Sequence, residues 1–310
     1  MILLYAAWKG GYAIRFWSAV SHSALQLRLE QEHYLLGAVV QVAMGAQLAG
    51  LALFVWLINN YLPSLIRGAM CGTGTLQANV YGYPLLYLKM CMPLLSTFYL
   101  LLQYLENCQP GYRLTPLKYY FLIPIAVVAM AETGLTVAYF ANISPNVIVT
   151  CCSLNFISDS LQHIGLLSRQ EILQPAIGIW IALGFALMAF HWNKRHLPTW
   201  LNALLVGIYT GLSVFTLKYF FVKYIYGLPS HLCLFDLFLP HYHYIGYGLF
   251  AIYYALIISA MVPLTAGIFS TKVKAKESFL QGWSRLQFMA LLLSLFLPLA
   301  YYFSWTGGTL

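Results

Sequence analysis

Cysteine, histidine and aspartate gather in three stretches of this chain that are otherwise rich in glycine, proline and tyrosine. The third stretch is the densest. His231-Leu-Cys233-Leu-Phe-Asp236-Leu-Phe-Leu-Pro-His241-Tyr-His243 offers five candidate ligands within thirteen residues. Thiolate with imidazole suits zinc, copper or iron, and an added carboxylate widens the choice. The spacing matches no standard finger or zincin pattern. An amphipathic segment whose histidines bond backbone or lipid phosphate carries the same residues.

The second stretch opens on Cys151-Cys152, followed by Asp159 and His163. Those two are four residues apart and share one helical face, where a carboxylate can fix an imidazole's tautomer and strengthen it as a ligand. An exposed helix with a surface ion pair is the plainer alternative. The first stretch carries Cys71 ahead of Gly72-Thr73-Gly74-Thr75. Its glycines permit a tight turn around the thiol. The lysine and following helix of a phosphate loop are missing, which excludes nucleotide binding there.

Four thiols allow three chemistries. Cys71, Cys151, Cys152 and Cys233, with His241, His243 and Asp236, form a candidate metal set that Asp159 and His163 would support. The cysteines could instead pair as disulfides. Adjacent Cys151 and Cys152 bond each other only under strain, so bridges to Cys71 and Cys233 would staple the three stretches. A redox-active pair is the third option, with Arg67 or His163 available to lower a thiol pKa. Cys91 and Cys108 read as packing residues.

The elements that position these groups follow from composition. The chain has 310 residues, of which 61% are hydrophobic and 8% charged, and its mean hydropathy is +0.74. That excludes a soluble domain and predicts an all-α, polytopic membrane helix bundle. Seven apolar runs are long enough to span a bilayer: 34–58, 83–104, 119–141, 173–192, 200–219, 244–269 and 287–304. Residues 1–33 form an N-terminal segment whose Tyr5, Trp8, Tyr12, Phe16 and Trp17 alternate with Lys9 and Arg15, as an interfacial amphipathic helix requires. No cleavable signal sequence is expected there. Residues 34–310 are expected to form a single seven-helix membrane domain.

Lys9, Arg15, Arg28, Arg113, Lys118, Lys194, Arg195, Lys272, Lys274, Lys276 and Arg285 fall on one side of these spans. Only Arg67, Arg169, Lys218 and Lys223 fall on the other, which predicts an N-in, C-out orientation. The net charge of +8 is thus used for topology and gives no sign of a nucleic-acid partner. The outer loops become 59–82, 142–172 and 220–243, and each holds one of the cysteine stretches.

Two charges fall inside spans. Lys89 and Glu132 lie roughly 9 and 14 Å below the outer ends of their helices at about 1.5 Å per residue, so they can pair. The pair either locks two helices or lines a polar path inward. Gln41 and Gln47 could share that interior or bond between helices. His33 and His191, at inner span ends, read as headgroup-facing rather than as ligands of a haem. Tyr244-Ile-Gly-Tyr-Gly248 resembles a potassium filter only superficially, because it opens a full span.

The leading expectation is a bacterial inner-membrane protein that binds or hands on a transition metal (copper, zinc or iron), or a metal cofactor, at its outer face. It would serve as the membrane subunit of a transport or maturation complex, with the lipid bilayer and protein partners around it. A membrane thiol–disulfide oxidoreductase and a non-catalytic, disulfide-stapled subunit of a larger complex are the alternatives.

Overall fold

Long apolar runs leave backbone N–H and C=O groups no partner but one another, and the chain answers with helices. The computed structural model describes residues 2–16, 24–108, 114–144, 147–149, 170–193, 197–227, 232–269 and 277–306. Among these residues there is no strand. The main helices are α1 (Ile2–Phe16), α2 (Ala24–Trp56), the short α3 (Gly72–Gln77), α4 (Gly82–Asn107), α5 (Thr115–Ala141), α6 (Gln170–Trp192), α7 (Thr199–Thr216), the short α8 (Val222–Tyr226), α9 (Ile245–Phe269) and α10 (Glu277–Thr306). Among the described residues seven helical stretches are long and apolar enough to cross a membrane, so the chain is a membrane-spanning helical protein.

Two of these helices begin about ten residues before their apolar run, α2 at Ala24 and α10 at Glu277. Glu30, Glu32 and Arg285 sit in the extra turns, where charge is tolerated because helix can continue past the hydrocarbon into water. Wide π-turns at Leu57–Tyr61 and Leu217–Phe221 lie near the ends of the first and fifth spans, which run on to Ser64 and Tyr226. A candidate thiol follows each span, Cys71 after the first and Cys233 after the fifth.

The described chain divides into two compact units. The first comprises Met1–Val55, Asn79–Ser144 and Thr265–Lys276. Here α1 packs along α5: Ala6 and Leu3 are buried, and Gly10 lies so close to the Tyr119 ring that any side chain would collide with it. A narrow stripe of α2 faces inward through Leu29, His33, Gly37, Val40 and Met44, and Phe54 and Val55 are buried near its end. The stripe positions recur every three or four residues, as one helical face must. Gln41 is exposed and Gln47 half-buried. Trp8, Tyr34, Leu35 and Val42 are exposed apolar residues suited to lipid.

The second unit comprises Trp56–Ala78, Pro145–Leu264 and Glu277–Leu310. Its helices are tied by buried polar bonds as well as apolar packing. Trp180 Nε1 donates to Ser213 Oγ at 2.7 Å, and Tyr209 Oη lies 2.9 Å from Ser294 Oγ. The amides of Asn202 and Gln287 exchange two bonds at 3.1 and 3.3 Å. Such bonds fix helix registry where apolar contact alone resembles lipid contact.

Candidate metal centre

Asn59 builds the site that its neighbours occupy. It lies in the first π-turn, buried to 2% exposure, and its amide works in both directions. Asn59 Nδ2 donates to the Phe235 carbonyl at 2.9 Å, while Asn59 Oδ1 accepts from Gly72 N at 2.8 Å. One side chain thus ties the segment after the first span to the segment after the fifth. Thr75 reinforces it by donating to the carbonyls of Ile58 and Gly72, both at 2.9 Å. Gly72 has no room for more, since a Cβ there would stand 2.7 Å from the Phe235 ring.

This scaffold brings Cys71 and Cys233 together from 162 positions apart, with their Sγ atoms 3.4 Å from each other. Both are buried. Asp236 stands in the 3-10 turn Phe235–Phe238 and is half-buried. One ligand atom from each of Cys71, Cys233 and Asp236 falls within 4.8 Å of the others. Thr73 Oγ1 lies 3.1 Å from Cys233 Sγ, where its hydroxyl can donate to a thiolate. Tyr226, at the end of α8, donates to the Cys233 carbonyl at 2.9 Å and packs at a tilt against Tyr242 with ring centroids 4.7 Å apart. Burial, and then the Asp236 carboxylate, push the Tyr242 phenol pKa up, so it stays a neutral donor beside the site.

His241 and His243 take a different place. His241 lies in the 3-10 turn Pro240–Tyr242, His243 and Tyr244 both have φ of 54°, and both histidines are exposed. The left-handed turn leads the chain into α9. Among the described residues the cluster of metal-ligating atoms consists of Cys71, Cys233 and Asp236. Cys151, Cys152, Asp159, His163 and His231 lie outside the described residues. Their stretch is anchored just before it begins: Val149 N donates to the Arg67 carbonyl at 3.1 Å, and Val149 is buried.

Gly68 makes that anchor possible. Its φ is +82°, and a Cβ would stand 2.4 Å from the Val149 carbonyl oxygen. Gly68→Ala is therefore expected to cost about 1–2 kcal/mol in backbone conformation alone, with the collision added. Hydrogen exchange at Val149 should accelerate in that variant; unchanged protection would show that the contact does not hold the segment.

The first unit holds two buried ion pairs on α4 and α5. Lys89 Nζ donates to Glu132 Oε1 at 2.5 Å, with the Lys89 ammonium also 5.3 Å from the centroid of the Phe54 ring. At the other end of the hairpin Lys118 donates to Glu106, and both are 0% exposed. Thr115 donates to the second Glu106 oxygen. His33 joins them, with Nε2 3.2 Å from Lys118 Nζ and 3.3 Å from Glu106 Oε2, and Nδ1 3.1 Å from Tyr119 Oη. In sequence Lys118 reads as an inner-face topogenic charge; the structure makes it half of an internal pair. Nothing in the spacing of Glu106 or His33 distinguishes them from ordinary helix-end polar residues.

No family model, curated protein or solved structure matches this chain.

Proposed function

We propose that this is an integral membrane protein that holds a transition-metal ion at Cys71, Cys233 and Asp236 and passes it to or from a partner at the membrane surface. The observation that carries this reading is the approach of two buried sulfurs to 3.4 Å beside a carboxylate, across 162 residues of sequence. A tetrahedral ion with bonds of about 2.3 Å to sulfur needs its sulfurs about 3.8 Å apart. Opening the pair by a few tenths of an ångström admits the ion. Closing it to a disulfide, at about 2.05 Å, is the larger movement. Two thiolates and one carboxylate suit zinc or iron(II), and leave a fourth position for a further ligand or for exchange.

The excess of basic residues in alternate loops supports an N-in, C-out orientation, with the thiols on the outer face of a bacterial inner membrane. Cys151 or Cys152 is our choice for the fourth ligand. Cys151 is two positions on from Val149, a reach of at most about 7 Å of chain, and Val149 is already held against Arg67.

Metal analysis of protein purified without chelators tests this. About one equivalent of zinc or iron is expected in the parent protein and less than a tenth of that in Cys233→Ser; an equally empty parent would count against the reading. The thiol-relay alternative also draws on the 3.4 Å approach, and alkylation separates the two. Metal-held thiols are protected until a chelator is added, whereas a relay pair is protected until a reductant is added.

A further inference from the structure

The buried face of α4 runs through Lys89, Met92, Ser96, Tyr99, Gln103 and Glu106, spaced three or four residues apart. It begins at one ion pair and ends at the other. Between them lie polar atoms that the protein does not satisfy. Ser96 Oγ, Gln103 Oε1 and Glu132 Oε2 are buried and have no hydrogen-bond partner among the described residues. Their side chains are 0%, 6% and 4% exposed by residue. The amide nitrogen of Gln103 is pressed against Gly37 of α2, 2.6 Å from where a Cβ would stand. Its oxygen is thereby left for another partner.

Each such atom costs about 1–3 kcal/mol when it is left dry. Polar side chains that only glue helices together bond one another across the interface, as Asn202 does with Gln287 in the second unit. These three do not. Their steps along α4, from Lys89 to Ser96 to Gln103, are about 10 Å each, with the Tyr99 side chain between the latter two. One water links polar groups about 5–6 Å apart, so each step takes a file of two or three, every member needing two to four partners.

We propose that this face of α4, with α2 and α5, lines a hydrated proton path between the Lys89–Glu132 pair and the Glu106–Lys118–His33 cluster. His33 also lines an open cleft of about 530 Å³ with Glu30 and Gln31, which gives the path an exit to bulk water. The charged and titratable groups around it are Lys89, Glu132, Glu106, Lys118, His33, Tyr99 and Tyr119, with Glu30 at the mouth of the cleft. Glu132 and Glu106 are each matched by a lysine, so a divalent cation meets no net negative charge between the two clusters. A proton needs none, because it moves by exchange between water and carboxylate or imidazole, leaving every group as it began.

The test uses the full-length protein in phosphatidylcholine–phosphatidylglycerol vesicles that enclose a pH dye, with a potassium diffusion potential set by valinomycin. Proton uptake at least tenfold above protein-free vesicles is expected, falling at least tenfold in Glu132→Gln and Gln103→Leu. Uptake equal to that of protein-free vesicles, or passage of zinc ions without protons, overturns the proposal. Hydration is read separately. Ser96→Cys should react with a small cationic methanethiosulfonate at least tenfold faster than Leu102→Cys, mapped by mass spectrometry. Leu102 is on the same helix and 0% exposed, so equal rates also overturn the proposal. Metal content at Cys71 and Cys233, measured in the same variants, stays unchanged, which keeps this failure distinct from failure of the metal reading.

Discussion

Glu106→Gln is expected to be the most damaging single substitution in this protein, at about 3–5 kcal/mol, because it leaves the fully buried Lys118 ammonium without its counter-charge. An ion pair need not add net stability when whole, yet it is expensive to break from one side. Lys118→Met should be milder, since His33 Nε2 remains 3.3 Å from the Glu106 carboxylate and can share its charge. The double variant Glu106→Gln with Lys118→Met removes both charges and should recover most of the loss. Thermal unfolding in detergent checks the series, with a drop on the order of 10 °C for Glu106→Gln. A double variant no more stable than Glu106→Gln alone would mean that Lys118 is not the stranded charge.

Asn59→Ala should be next in effect, and it should act on the metal centre without touching a ligand. The substitution leaves the Phe235 carbonyl and the Gly72 amide without their bonds to this side chain. At about 1–3 kcal/mol for each unmet buried group, the loss is about 2–4 kcal/mol after partial relaxation. The two thiol-bearing segments lose the tie that registers them, so metal affinity should fall about 10–100-fold, the usual range for an outer supporting residue. Asn59→Asp divides the effect, because it keeps an acceptor for Gly72 N but cannot donate to Phe235. Competition with a chromogenic chelator measures each variant. Wild-type affinity in Asn59→Ala would show that the segments need no such tie.

How much of this was legible in the sequence depends on the kind of signal. Apolar runs of about 20 residues are set by bilayer thickness, so the spans could be counted directly and the helices agree with them within a few residues. The exceptions, α2 and α10, overrun because hydropathy registers where lipid ends and not where a helix ends. The Lys89–Glu132 pair was open to arithmetic, since depth along a helix is residue number times rise. The Glu106–Lys118 pair was not. Both lie near helix ends, where the same depth fits an exposed charge and a buried one, and only the covering by α1 and α2 distinguishes them.

The sequence by itself determined that the chain is helical, that it spans a membrane, and that Cys71 and Cys233 lie in segments connecting its spans. Composition and helix length decide all three, whichever helix touches which. Tertiary structure alone decided which ligands meet. It chose Cys71, Cys233 and Asp236, and it turned His241 and His243 outward. The selecting groups are an asparagine in a widened turn and glycines with no space for a Cβ. Such residues act through contacts across more than a hundred positions, and local pattern carries no record of those.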